Sequence, residues 1–144
     1  MDYAKQLLQD IDALDGERWF PKESEFEDDL PLYWGEWGVY SECLDLKDCL
    51  MRRPGKVVEN FDWQASRFFS SIDPEKFRAQ HDNLAQIYRD NGVRVHYVEE
   101  QREDRPNAIF CRDLCFMTPE GAIVTRPGLA ARRGEERYVA KTLA

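Results

Sequence analysis

The sequence predicts a mixed α/β fold, and three observations carry that expectation. Residues 74–91 show helical periodicity framed by a start signal at Asp73-Pro74 and a stop at Asn91-Gly92. The next segment, Val93 to Val98, switches to an apolar and polar alternation of period two. Two more apolar runs, Ile109–Met117 and Ala122–Thr125, flank Thr118-Pro119-Glu120-Gly121, whose Pro and Gly mark a hairpin turn.

Taken in order, residues 3–14 read as an amphipathic packing helix, with Tyr3, Leu7, Ile11 and Leu14 on one face and Asp15-Gly16 at its end. Glu23 to Asp29 is acidic and reads as a solvated connection. Leu30–Trp37 concentrates Tyr33, Trp34 and Trp37, a composition that suits a segment wrapped over a core or a partner. Leu44–Arg52 reads as a strand that Pro54-Gly55 ends, and Lys56–Ser70 as a loop with a short helical turn. In the 74–91 helix, Phe77, His81, Leu84, Ile87 and Tyr88 build one face. Glu99–Pro106 is a polar loop, and Gly134–Leu143 a last helix with Tyr138, Val139 and Leu143 on its apolar side.

The bulk properties narrow the function. A chain of 144 residues, 42% hydrophobic and 33% charged, is ordinary for a globular domain with a real core. A net charge of -8 argues against a nucleic-acid-binding surface. No apolar run reaches the roughly 18 to 20 residues of a membrane span, and Met1–Lys5 does not open a signal peptide, so a cytoplasmic protein is expected. The four cysteines, Cys43, Cys49, Cys111 and Cys115, lie in or beside expected strands and read as inert buried thiols rather than a disulfide framework. Cys111 and Cys115 would share a strand face, but their spacing does not suit a zinc site, and no metal is expected.

The chemistry concentrates in Asn107-Ala108-Ile109-Phe110-Cys111-Arg112-Asp113 and in Arg132-Arg133-Gly134-Glu135-Glu136. An Arg-Asp pair inside an otherwise apolar run needs a reason, because an ionised carboxylate is costly to bury without a partner. A carboxylate matches the fork of a guanidinium with two parallel charge-assisted bonds, and an arginine matches a carboxylate in the same way. Together the two blocks suit a ligand carrying both charges, such as arginine. The competing readings are structural. Asp113 would pair with an arginine of its own fold, Arg132 would flank a helix near Glu135 and Glu136, and Asn107 would serve the turn after Pro106.

These blocks resemble the arginine deiminase and amidinotransferase superfamily, whose members modify guanidino groups. The resemblance lies in Asn107, Phe110-x-Arg112-Asp113, the Met117–Ala122 hairpin and Arg132–Arg137. It also lies in Gly38-Val39-Tyr40-Ser41-Glu42, Leu46–Leu50 and Arg52-Arg53-Pro54-Gly55. It runs from about Gly38 to the C-terminus, which divides the chain into a 1–37 helix and acidic/aromatic extension and a 38–144 N-terminal part of the family domain. It implies a five-bladed α/β propeller of strand-helix-strand modules around a central site, of which this length supplies about two modules. Open sheet edges and exposed apolar faces should follow.

The resemblance further implies that Asp113 binds the substrate guanidinium, that Arg132 contacts the α-carboxylate, and that Asn107 touches the amino-acid end. Family chemistry uses a Cys nucleophile, a His acid/base and a second acid, and it needs no cofactor. None of the three is matched here. His81 falls on an apolar helix face, His96 reads as an exposed strand residue, and Cys111 has no matching His within sequence reach. No catalytic residue is therefore assigned in this chain. The expected partners are arginine or another guanidino compound, together with a second polypeptide or the remaining part of the propeller that brings Cys and His; no nucleic acid and no membrane are expected. The alternative is a non-catalytic binding or regulatory subunit that keeps an arginine-like pocket.

Overall fold

The computed structural model describes residues 25–99 and 104–144. The helix expected over residues 3–14 and part of the polar loop after Glu99 lie outside the described residues. The elements are helix α1 (Phe26–Tyr33), strand β1 (Asp48–Met51), helix α2 (Pro74–Asp90), strand β2 (Arg94–Tyr97), strands β3 (Cys115–Thr118) and β4 (Gly121–Val124), and helix α3 (Glu136–Leu143). Short 3₁₀ turns occupy Lys56–Glu59, Pro106–Ile109, Cys111–Asp113 and Ala130–Arg132.

Strands β1 and β2 pair in parallel, from Asp48 opposite Arg94 to Met51 opposite Tyr97, with α2 in the crossover between them. A parallel pair needs such a crossover, because a tight turn joins only antiparallel strands. Helix α2 begins as the sequence requires: the Asp73 carboxylate accepts from the backbone N–H of Glu75 and Lys76 at 3.0 and 3.1 Å. It ends at Asn91, followed by Gly92 at φ +77°, a left-handed conformation that glycine adopts without penalty.

Strands β3 and β4 form an antiparallel hairpin, with Thr118 opposite Gly121 across Pro119-Glu120. The core gathers between this hairpin and α3. Val98, Cys111, Leu114, Ala122, Val139 and Leu143 are buried together, and Trp34 and Trp37 pack against them. The Trp37 indole N–H donates to the Leu143 carbonyl at 2.8 Å, and the Gly35 N–H donates to the same oxygen at 2.9 Å. The aromatic segment thus caps the C-terminal helix, which suits rings that are apolar with one polar handle. Gly38 is required by space, since a Cβ there would lie 2.6 Å from the Pro119 carbonyl oxygen.

Three local expectations change. The acidic run is not a plain connection, because Phe26–Tyr33 is helical with Glu27, Asp28 and Asp29 in its first turn, where the helix dipole favours negative charge. The strand expected over Ile109–Met117 begins only at Cys115; Cys111–Asp113 is a 3₁₀ turn, so Cys111 and Cys115 do not share a strand face. An apolar run cannot by itself separate a buried strand from a buried turn. His96 is half-buried rather than exposed, bonded through Nε2 to Asp48 Oδ1 at 2.7 Å and edge-on to Trp37.

Exposed apolar surface is present on the hairpin and on α2. Phe116 and Ile123 face each other across the hairpin at 62% and 58% exposure, and Leu84 and Ile87 stand out on α2. Among the described residues, no helix is long and apolar enough to cross a membrane.

Candidate functional site

The turn at Cys111–Asp113 sets the site. Leu114 and Cys111 are driven inward, Leu114 completely, and the Leu114 N–H donates to the Cys111 carbonyl at 2.9 Å. This tight winding sends the Asp113 side chain outward, where it remains about half exposed. The Asp113 backbone is pinned from the hairpin, since the Thr125 hydroxyl donates to its carbonyl at 2.5 Å.

Arg132 ends the last 3₁₀ turn and reaches back to this point with nearly every donor it has. Its Nη1 donates to Asp113 Oδ2 at 2.6 Å and its Nε to Glu135 Oε2 at 2.9 Å. Its Nη2 donates to the carbonyls of Asn107 and Phe110, both at 3.3 Å. Burial works against its charge, but the bonds to Asp113 and Glu135 outweigh that and raise its pKa above the ordinary arginine value. The structure therefore gathers the three residues singled out in the sequence around one guanidinium. Asn107 joins through its backbone, however. Its side-chain amide donates to the Ser66 carbonyl at 3.0 Å and ties down the loop in which Arg67 takes φ +65°.

Asp113 also lines a groove of about 500 Å³ between β1, α2 and the 109–113 turn, walled by Leu50, Phe77, His81, Leu84 and Phe110. An apolar groove with a carboxylate in its lining suits the aliphatic stem and charged head of a guanidino compound. His81 is mostly buried there, and burial lowers its pKa despite the nearby Asp82. Cys111 is buried with its thiol near the Ala108 carbonyl, and burial pushes its pKa up to about 11. A thiol held protonated is a poor nucleophile. No group of three or more metal-ligating side chains occurs among the described residues.

One charged residue of this cluster was missed as a functional candidate. Glu135 is 1% exposed, and its pKa is raised by burial against the pull of Arg132, Arg52 and Arg105. Arg52 is itself 3% exposed, with its guanidinium 5.8 Å from the centre of the Tyr138 ring. The sequence held one signal for Glu135, its spacing of three from Arg132 at a helix start.

Comparison with known proteins identifies the family of this chain. Residues 59–144 match the family model described as N,N dimethylarginine dimethylhydrolase, eukaryotic. Arginine deiminase of Streptococcus equi subsp. zooepidemicus is 44% identical over 64 residues, and that of Streptococcus pyogenes 42% over the same length. Each of these matches covers 42% of this chain and 16% of the relative. The fold is similar to that in a crystal structure of a dimethylarginine dimethylaminohydrolase adduct with 4-chloro-2-hydroxymethylpyridine, with a TM-score of 0.57 and 24% identity. That likeness covers 69% of this chain and 36% of the other. The matched stretch of motif, hairpin and arginine cluster places the chain in the eukaryotic N,N dimethylarginine dimethylhydrolase family, within the arginine deiminase and amidinotransferase superfamily.

Proposed function

We propose that this chain is the N-terminal portion of a guanidino-modifying hydrolase and binds arginine or a methylated relative through Asp113, Arg132 and Asn107. The observation that carries this reading is the Asp113–Arg132 pair at 2.6 Å beside an apolar groove. The two side chains hold on each other the charges that an amino acid with a guanidino group carries at its two ends. Such a ligand offers each partner its own counter-charge, a guanidinium for Asp113 and a carboxylate for Arg132, once the half-exposed Asp113 side chain swings away from the anchored Arg132. Asn107 frames the carboxylate end. A singly charged ligand would release one partner and leave the other without its counter-ion.

The similarity to deiminases and to a dimethylaminohydrolase favours hydrolysis over transfer to a second amine. The reaction that family membership suggests begins with a Cys thiolate attacking the guanidinium carbon. The amine departs with a proton from the His, and water then cleaves the Cys-bound amidino group to a urea. Cys and His would come from a further part of the polypeptide or from a partner chain. Residues 38–144 would then be about two modules of a five-bladed propeller, with residues 1–37 as an extension; the exposed Phe116–Ile123 face suits a neighbouring module.

A second reading is a binding or regulatory subunit without chemistry of its own, favoured by the buried, protonated thiol of Cys111. Calorimetric titration of the full chain with L-arginine tests the pocket. Saturable binding that Asp113→Asn strongly weakens is expected, and absence of binding by the wild-type chain overturns both readings. Native mass spectrometry combined with a citrulline assay then separates them. Turnover that requires a second polypeptide marks a split enzyme, and binding without turnover marks a subunit.

A further inference from the structure

The side chain of Glu135 is fully buried, yet only one of its oxygens is used. Oε2 accepts from Arg132 Nε, whereas Oε1 takes no hydrogen bond among the described residues. Burying an ionised carboxylate is costly, and an apolar side chain of the same volume often stabilises a core as well or better. The structure shows what the charge does here. A guanidinium offers carboxylates its Nε and Nη2 edge as a fork, and Arg53 uses that edge to take both oxygens of Asp82 at 2.8 Å each. In Arg132 the corresponding edge is occupied by Glu135 and by two backbone carbonyls. Only Nη1 is left for Asp113. Without Glu135, Arg132 would be able to turn its fork onto Asp113 and close the pair.

We infer that Glu135 is a positioning residue: it holds Arg132 side-on, so that Asp113 and Arg132 share one exchangeable bond and Nη1 is the donor that passes from Asp113 to the ligand carboxylate. This rests on the guanidino-binding reading above. It assigns to Glu135 the selectivity for ligands that carry a carboxylate as well as a guanidinium.

The test compares L-arginine with agmatine, which has the guanidinium but no carboxylate, by calorimetric titration of the full chain and its variants. The wild-type chain should prefer L-arginine roughly tenfold, the worth of one charge-assisted bond. Glu135→Met keeps the volume and removes the acceptor, and should bring the ratio close to one without lowering the melting temperature. Glu135→Gln retains a neutral acceptor at the same place and should keep roughly a threefold preference, a partial rescue. An unchanged ratio in Glu135→Met overturns the inference, and if that variant does not fold, an unchanged ratio in Glu135→Gln does so. A wild-type chain that binds both probes equally overturns it as well, since Arg132 would then not read the carboxylate. A wild-type chain that binds neither probe overturns the guanidino-binding reading itself.

Discussion

Two arginine–aspartate pairs in this molecule use the same chemistry to different ends. Between the loop after β1 and the middle of α2, Arg53 and Asp82 meet as a two-bond fork, both about half exposed. Both Asp82 oxygens are satisfied, and the Arg53 bond pulls its pKa down. At the end of the last 3₁₀ turn, Arg132 is 11% exposed and divided among two carboxylates and two carbonyls, so Asp113 receives a single bond. The first pair is a closed clasp on the surface. The second is an open pair with a buried anchor. The difference comes from Glu135, because a guanidinium has five donors and whichever acceptor takes its fork decides how the rest are presented.

The largest change should come from removing the packing that holds the open pair in place. Leu114→Ala empties a fully buried position next to Asp113 and should cost about 2 to 5 kcal/mol of stability, measured by urea unfolding. Loss below about 1 kcal/mol would show that the turn is not seated by Leu114. Next comes the comparison itself. Asp113→Asn should weaken L-arginine binding roughly a hundredfold while changing stability by less than about 1 kcal/mol. Asp82→Asn should leave binding unchanged and cost at most about 1 kcal/mol, as exposed pairs do. Reversed outcomes would mean that the clasp and the site had been interchanged.

Smaller effects concern titration. Cys111, with its pKa pushed up to about 11 from 9.0, should resist iodoacetamide at neutral pH, while Cys43, which is exposed and not buried as its sequence context suggested, reacts. Because the folded state holds that proton more tightly, its contribution to stability is complete below about pH 9 and fades as pH rises toward 11. Equal labelling of the two thiols in the native protein would contradict the burial of Cys111. The smallest effect belongs to Asp82. Its folded carboxyl lies below the ordinary 3.8, so the clasp contributes above that pH and is lost as pH falls through the folded value. Acid titration of Asp82→Asn should therefore lack a small step that the wild type shows below about pH 4.

Family membership was legible because two motif blocks keep their order and spacing, and the hairpin was legible because Pro119 and Gly121 have strong local preferences. The site was half legible. Asp113 and Arg132 were named as ligand contacts, and they meet as an ion pair with each other, with Arg132 also paired to Glu135, the structural alternative that the sequence left open. The meeting of Asn107 with them through its carbonyl, while its amide serves Ser66, depends on a loop more than thirty residues away. The strand expected through Asp113 failed for a related reason. Burial of Cys111 and Leu114 at spacing three winds that stretch into a turn, a pattern that an apolar run does not distinguish from a strand.

The amino-acid sequence by itself determined the α2 boundaries, through Asp73, Pro74, Asn91 and Gly92, and the β3–β4 turn. These rest on backbone preferences and neighbouring side chains, which act within a few residues. Only the tertiary structure decided that Trp37 caps the Leu143 carbonyl, that β1 lies parallel to β2, and that Glu135 is buried against Arg132. Those outcomes depend on which distant surfaces exclude water together, and periodicity along the chain carries no record of that.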